Sequence, residues 1–222
     1  LAVAGLEPGM TILDVGCGRG EILGWTARNG VRAVGIDYAE TAVRFSRELA
    51  IDEEVLGNAV GVYQASALFL PFEDNLFDRV LMLDIVEHLY PEELDSALCE
   101  VYRVLRPGGR IIVHTAPNVW YDRYAYPLVR RIRMWMGQGD RYPRNPRRII
   151  PQNVHVHVNE QSALSLWRSL REHKFRNVSA WLSTPPQHRD ESWALGAIRW
   201  ILFNAPPFRW FFEREVFAVG EK

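Results

Sequence analysis

Three glycines spaced by single residues, Gly16, Gly18 and Gly20, follow an acid at Asp14, and a second acid, Asp37, closes the next apolar run. Alternating glycines after the β-branched stretch that begins at Thr11 describe a strand that bends sharply into a helix. The bend visits φ > 0 and leaves bare backbone for a ligand to approach. Amide N–H groups at the start of the following helix then face that ligand. A carboxylate ending the second strand, about 20 residues after the first glycine, is placed to accept both hydroxyls of a ribose. His88, His155 and His157 are the other groups fit for chemistry, because imidazole exchanges protons near neutral pH.

The elements that must position these groups alternate. Met10–Val15, Val31–Asp37, Gly61–Gln64, Phe77–Leu83 and Arg110–Thr115 read as strands. Glu21–Asn29, Ala39–Leu49 and Pro91–Leu105 read as helices between them. Phe77–Leu83 is apolar apart from Asp78 and Arg79, as suits a central parallel strand covered on both faces. Such βαβα alternation predicts an α/β fold with a doubly wound parallel sheet, and right-handed crossovers bring the named loops to one edge of it. Beyond Asn118 the pattern changes. Trp120–Met136 reads as a helix, Gly137–Pro151 as a loop and His155–Asn159 as a short extended stretch. Glu160–Lys174 is an amphipathic helix and Asn177–Leu182 a strand. Pro185–Phe212 is an insertion rich in Trp, Phe and Pro, and Glu213–Val219 is the last strand.

Composition narrows the classes. A chain of 222 residues with a net charge of −1 fits one domain, and its overall charge carries no signature of nucleic acid. Cys17 and Cys99 form neither a disulfide framework nor a metal-ligand spacing, which points to a reducing cytoplasm. No apolar run reaches the roughly 18 residues of a membrane span. The chain starts at Leu1 rather than at methionine, which leaves room for a preceding segment.

The spacing separates two nucleotide chemistries. A dinucleotide fingerprint places its third glycine at position 21, where this chain has Glu21, so a nicotinamide dehydrogenase is disfavoured. The run from Thr11 to Thr115 instead resembles the class I S-adenosylmethionine-dependent methyltransferases along about half the chain, and most closely the subgroup acting on small molecules, quinones and glycans. The resemblance implies a Rossmann-like, mostly parallel seven-stranded sheet with an antiparallel last strand. It also implies S-adenosylmethionine as cofactor and S-adenosylhomocysteine as product. Asp14, Gly16, Cys17 and Gly18 would surround the methionine part, Asp37 would bind the ribose, and Tyr38 would lie against the adenine. Ser66 stands where the family usually has an Asp; it is the weaker acceptor for the adenine amino group. Ala67 would offer its N–H to the ring, and Leu83 its carbonyl to the cofactor's amino group, with Asp84 beside it. On this division residues 1–116 are the cofactor-binding half, 117–212 hold the acceptor-binding elements and insertion, and 213–222 supply the last strand.

In-line methyl transfer asks the protein to align nucleophile and methyl group and to exclude water. A base is needed only where the acceptor carries a proton, and His88, His155 and His157 are the candidates. A His-x-His pair without a carboxylate cluster is no metal signature, so no metal is expected. Eight arginines between Arg123 and Arg148, interleaved with aromatics, suit a small anionic or lipid-linked acceptor or a phospholipid surface, and equally a solvated helix and loop. Trp193–Phe212 reads as a hydrophobic lid, a homodimer contact, a membrane-touching patch or packing on its own domain. Nucleic acid is a poorer fit, because Leu83-Asp84-Ile85-Val86 stands where base-amino methyltransferases carry an Asn/Asp-Pro-Pro-aromatic motif. The rival of another class is a non-catalytic cofactor-binding regulatory or scaffold protein, which needs the same glycines and Asp37.

Overall fold

The structure, a computed structural model, describes residues 2–52, 60–149, 153–183 and 193–222. Its seven strands are β1 (Thr11–Val15), β2 (Arg32–Asp37), β3 (Val60–Gln64), β4 (Phe77–Leu83), β5 (Leu105–Thr115), β6 (Arg176–Ser183) and β7 (Glu215–Glu221). They form one sheet in the order β3-β2-β1-β4-β5-β7-β6. β1 to β5 are parallel, and β7 enters antiparallel between β5 and β6. The strand order reverses at β1/β4, which is where open α/β sheets leave a crevice beyond their carboxyl ends.

Two apolar layers cover the sheet. On one face Ile12, Leu81 and Ile112 pack with Leu23 of α1 (Glu21–Arg28) and Val43 of α2 (Glu40–Asp52). On the other, Val80, Met82 and Val113 pack with Leu98 and Val101 of α3 (Pro91–Val104) and with Leu166 and Leu170 of α6 (Ala163–Glu172). This double coverage explains the unbroken apolar run of β4. Its two charges lie at the end remote from the crevice. Asp78 accepts from the Thr11 N–H at 2.8 Å and pairs with Arg106, and Arg79 donates to the Ala4 carbonyl at 2.8 Å.

Past β5 the chain forms a π-helical turn (Tyr121–Ala125), α4 (Tyr126–Trp135), the single turn α5 (Asn153–Val156) and α6, then β6, α7 (Trp193–Asn204) and α8 (Arg209–Phe212). The segment read as the helix Trp120–Met136 is helical, with a π-helical turn before α4. Two sequence expectations change here. The amphipathic helix starts at Ala163 rather than Glu160, because Ser162 caps it by accepting from the Ser165 N–H. His155 and His157 do not share an extended stretch: Asn153–Val156 is helical and His157 follows it. The side chain of His155 and residues 185–192 of the expected insertion lie outside the described residues.

Candidate functional site

The glycine turn leaves β1 with φ of 78° at Gly16, 51° at Gly18 and 81° at Gly20. At Gly20 an added Cβ would stand 2.2 Å from Ser46 Oγ of α2, so the close approach of turn and helix requires glycine. At Gly18 an added Cβ meets no protein atom within 4 Å, so its bare side opens onto free space. Gly16 and Cys17 donate their N–H groups to the Ile36 carbonyl, at 2.8 and 2.9 Å, which ties the turn to β2.

Asp37 sits at the carboxyl end of β2 and faces that turn. Its carboxylate accepts from the Gly18 N–H at 3.0 Å and from the Ala39 N–H at 2.8 Å. Tyr38 next to it is 82% exposed, its ring unpacked. Across the crevice, Ser66 Oγ accepts from the Leu68 N–H at 3.2 Å and Ala67 is buried. Leu83 ends β4 level with His114 of β5. Asp84 takes φ of 55°, held there by its N–H on the His114 carbonyl and by His114 Nδ1 at 2.8 Å from its Oδ1. The turn, Asp37, Tyr38, Ser66, Ala67, Leu83 and Asp84 thus all lie along the carboxyl edge of β1, β2, β3 and β4.

Burial tunes the two groups behind the turn. Asp14 is pushed up to about 7, first by burial and then by the nearby Asp37 carboxylate. Burial, reinforced by Asp14, pushes the Cys17 thiol up to about 12, so it is no nucleophile at neutral pH.

A second cluster stands beyond β4. The turn Val86–His88 brings His88 and His157 together with ring centroids 5.0 Å apart, edge to face. His88 Nδ1 lies 3.0 Å from the Val156 carbonyl, which assigns that nitrogen its proton and leaves Nε2 as the acceptor. His157 is 8% exposed and its Nδ1 has no hydrogen-bond partner. Burial, with His88 second, lowers its pKa from the usual histidine value, so the ring is neutral at pH 7. Glu87, in the same turn as His88, is buried. It accepts from Thr115 Oγ1 at 2.7 Å, and its carbonyl takes the N–H groups of Val158 and Asn159. Burial raises its pKa, with the Thr115 bond opposing. One ligand atom each of Glu87, His88 and His157 lies within 4.8 Å of the other two, a set able to hold a divalent ion. The set joins His157 not to His155 but to His88 and to Glu87 of the turn Val86–His88.

Behind His157, Glu160 Oε1 lies 3.9 Å from its Nδ1 and receives a bidentate bond from Arg147, at 2.7 and 2.9 Å. Asp122 is pushed up to about 6 by burial and by Glu160. Beside this cluster opens a groove of about 440 Å³ lined by Pro91, Asp95, Trp120, Asn159, Glu160 and Ser165. Asn118, next to the lining residues Val119 and Trp120, is buried, and its side-chain N–H groups reach the Trp210 and Glu213 carbonyls, both at 3.0 Å.

The family described as methyltransferase domain matches residues 13–113. The chain is 28% identical over 173 residues to a ubiquinone/menaquinone biosynthesis C-methyltransferase UbiE of Teredinibacter turnerae, spanning 73% of this chain and 66% of that protein. It is 34% identical over 109 residues to the methyltransferase GfsG of Streptomyces halstedii, spanning 49% of this chain and 38% of that protein. The chain therefore spans less than two thirds of the length of either relative. A SAM-dependent methyltransferase from Archaeoglobus fulgidus shares the fold at a TM-score of 0.62 and 20% identity, covering 96% of this chain and 86% of that one. With the glycine turn, the Asp37 edge and this sheet order already in place, these likenesses support a class I S-adenosylmethionine-dependent methyltransferase, whose domain residues 13–113 match.

Proposed function

We propose that this protein transfers a methyl group from S-adenosylmethionine to an oxygen, or a nitrogen or ring carbon activated by proton loss, of a small acceptor seated over His88 and His157. The residues present fit the cofactor: the free space beside Gly18 admits it, Asp37 would take the ribose hydroxyls, and Asp14 would offset the positive charge of its methionine end. Tyr38, Ser66, Ala67 and Leu83 would line the adenine and amino-group sites. Bound there, the cofactor supplies an already activated methyl sulfonium. What remains for the chain is to hold the acceptor, keep water out and carry one proton.

His157 is the base in this reading. The observation that carries it is a buried, neutral imidazole with an unpartnered ring nitrogen at the mouth of β4. His88 stands at the rim as its exposed neighbour, and Glu160, held by Arg147, would stabilise the imidazolium that forms. The first acceptors to try are hydroquinones and phenols, because the UbiE relatives are named for quinone biosynthesis and such rings carry an acidic hydroxyl.

The test measures S-adenosylhomocysteine formation with a hydroquinone or phenol acceptor. His157→Ala should lower kcat at least about 100-fold, the usual worth of a positioned base, with cofactor affinity by calorimetry unchanged. Activity should persist below pH 6.5 and fall only at more acid pH, because burial lowers the pKa of the base. Turnover within tenfold of wild type removes the base role. Turnover lost on dialysis against EDTA and restored by zinc would move proton removal from His157 to an ion held by Glu87, His88 and His157.

A further inference from the structure

We infer that the face made by α4 together with α7 and α8 docks this protein onto an anionic lipid bilayer. Leu128, Ile132, Trp135 and Met136 fall within about 100° of arc on α4 and its cap, and all are half-exposed or more, Trp135 to 87%. Trp193, Trp200, Phe208 and Trp210 are exposed on and after α7. The two segments adjoin where α8 meets the turn before α4. Trp120 stacks on Phe211 at 5.7 Å, Tyr124 meets the same ring edge-on at 5.6 Å, and between them lies an apolar groove of about 580 Å³. Soluble chains rarely leave so many large apolar side chains together in water.

Charge decides what covers this face. The chain as a whole carries −1, yet residues 120–149 hold eight arginines against two aspartates, with no lysine or glutamate. Residues 193–212 add Arg199 and Arg209 and no acid. Arg123, Arg131, Arg141, Arg144 and Arg148 are exposed beside the apolar stripe. Tryptophan and aliphatic side chains flanked by guanidinium groups match the acyl boundary and phosphate layer of a membrane, where each basic group near an anionic surface adds affinity. A second copy would press like charges together, and nucleic acid, which would engage the arginines and aromatic rings, would leave the aliphatic Leu128, Ile132 and Met136 in water. The docked face runs into the Trp120 side of the groove beside His157, so an acceptor with a lipid tail could enter without crossing water.

The experiment is co-sedimentation of the full chain with vesicles of phosphatidylcholine alone or with about 30% phosphatidylglycerol, without cofactor or acceptor, so that it stands apart from the methyl-transfer reading. The wild-type chain should bind anionic vesicles at least tenfold better than neutral ones and lose that binding in high salt. Leu128→Glu with Ile132→Glu changes two half-exposed positions and should lower binding at least tenfold with an unchanged melting curve. Should that double variant unfold, Trp135→Phe serves instead, read by loss of quenching from brominated lipid. Absence of binding at low salt overturns the proposal. So does a dimer in sedimentation velocity that the double variant breaks, since a second copy would then own this face.

Discussion

The two halves of this molecule solve opposite problems. Up to Ala116 the working surface is backbone: N–H groups, bare glycine and the ends of parallel strands, with the Asp37 carboxylate facing the turn. Beyond it the working surface is side chain: a histidine pair, a buried Glu160–Arg147 bond, exposed tryptophans and a band of arginine. Backbone geometry is set by topology, so one cofactor edge can serve many chemistries. Side-chain surfaces are set by what they meet, so on the function proposed above the second half is where an acceptor would be chosen.

Three changes test that division, and the first should have the largest effect. Asp37→Ala removes the acceptor of the Gly18 and Ala39 N–H groups as well as the expected ribose contact. S-adenosylmethionine affinity measured by calorimetry should fall about 100-fold, some 3 kcal/mol, as for a charge-assisted pair. Unchanged affinity would break the comparison, because the cofactor would then not depend on this edge.

The second is Asp14→Asn. The folded pKa of Asp14, about 7, lies above its ordinary 3.8, so the native state binds the extra proton between those values. Stability without cofactor should therefore fall as pH rises from about 4 to about 7, and the variant should escape that loss. At pH 8 it should melt higher, by on the order of 2 kcal/mol, after allowing for relaxation around a buried charge. Cofactor, bringing positive charge, should favour ionised Asp14, so wild-type affinity should rise from pH 6 to pH 8 and that of the variant should not. A variant that melts lower at pH 8 would refute the assignment.

The third and smallest effect belongs to the other half. Arg147→Ala leaves the Glu160 carboxylate buried without its partner. Because Arg147 is about one-third exposed, the loss of stability should stay near 1–2 kcal/mol. Cofactor affinity should remain within twofold. A large loss of cofactor binding would mean the halves are not separable.

The first half was largely legible in the sequence because its logic is periodic. Apolar runs, glycine spacing and an acid about 20 residues on are local signals, and the sheet edge assembles from them. The second half was less so. Glu160 reads as the first residue of an amphipathic helix, and nothing in the pattern marks it as buried or singles out Arg147 among eight arginines as its partner. Glu87 reads as a helix-start acid, yet its bond is to Thr115, 28 positions away. The histidines were visible as residue types, but pairing His88 with His157 required the helical turn Asn153–Val156 in place of an extended stretch. Tyr126, counted among aromatics beside the arginines, is buried with its hydroxyl on the Pro143 carbonyl. Each miss is a long-range side-chain contact, which periodicity does not encode.

Asn118 carries a consequence for how the chain assembles. Its amide bridges to carbonyls 92 and 95 positions ahead, and its own N–H reaches Arg214. Contacts at such separation form only after the intervening loop entropy has been overcome, whereas the pairings among β1 to β5 close shorter loops, the longest that between Ile12 and Arg79. A chain leaving the ribosome can therefore pair its first five strands early, while Asn118 finds its partners only once Trp210, Glu213 and Arg214 have emerged. Truncation before α8 would then leave β1 to β5 their pairings and strip Asn118 of every carbonyl that its N–H groups reach.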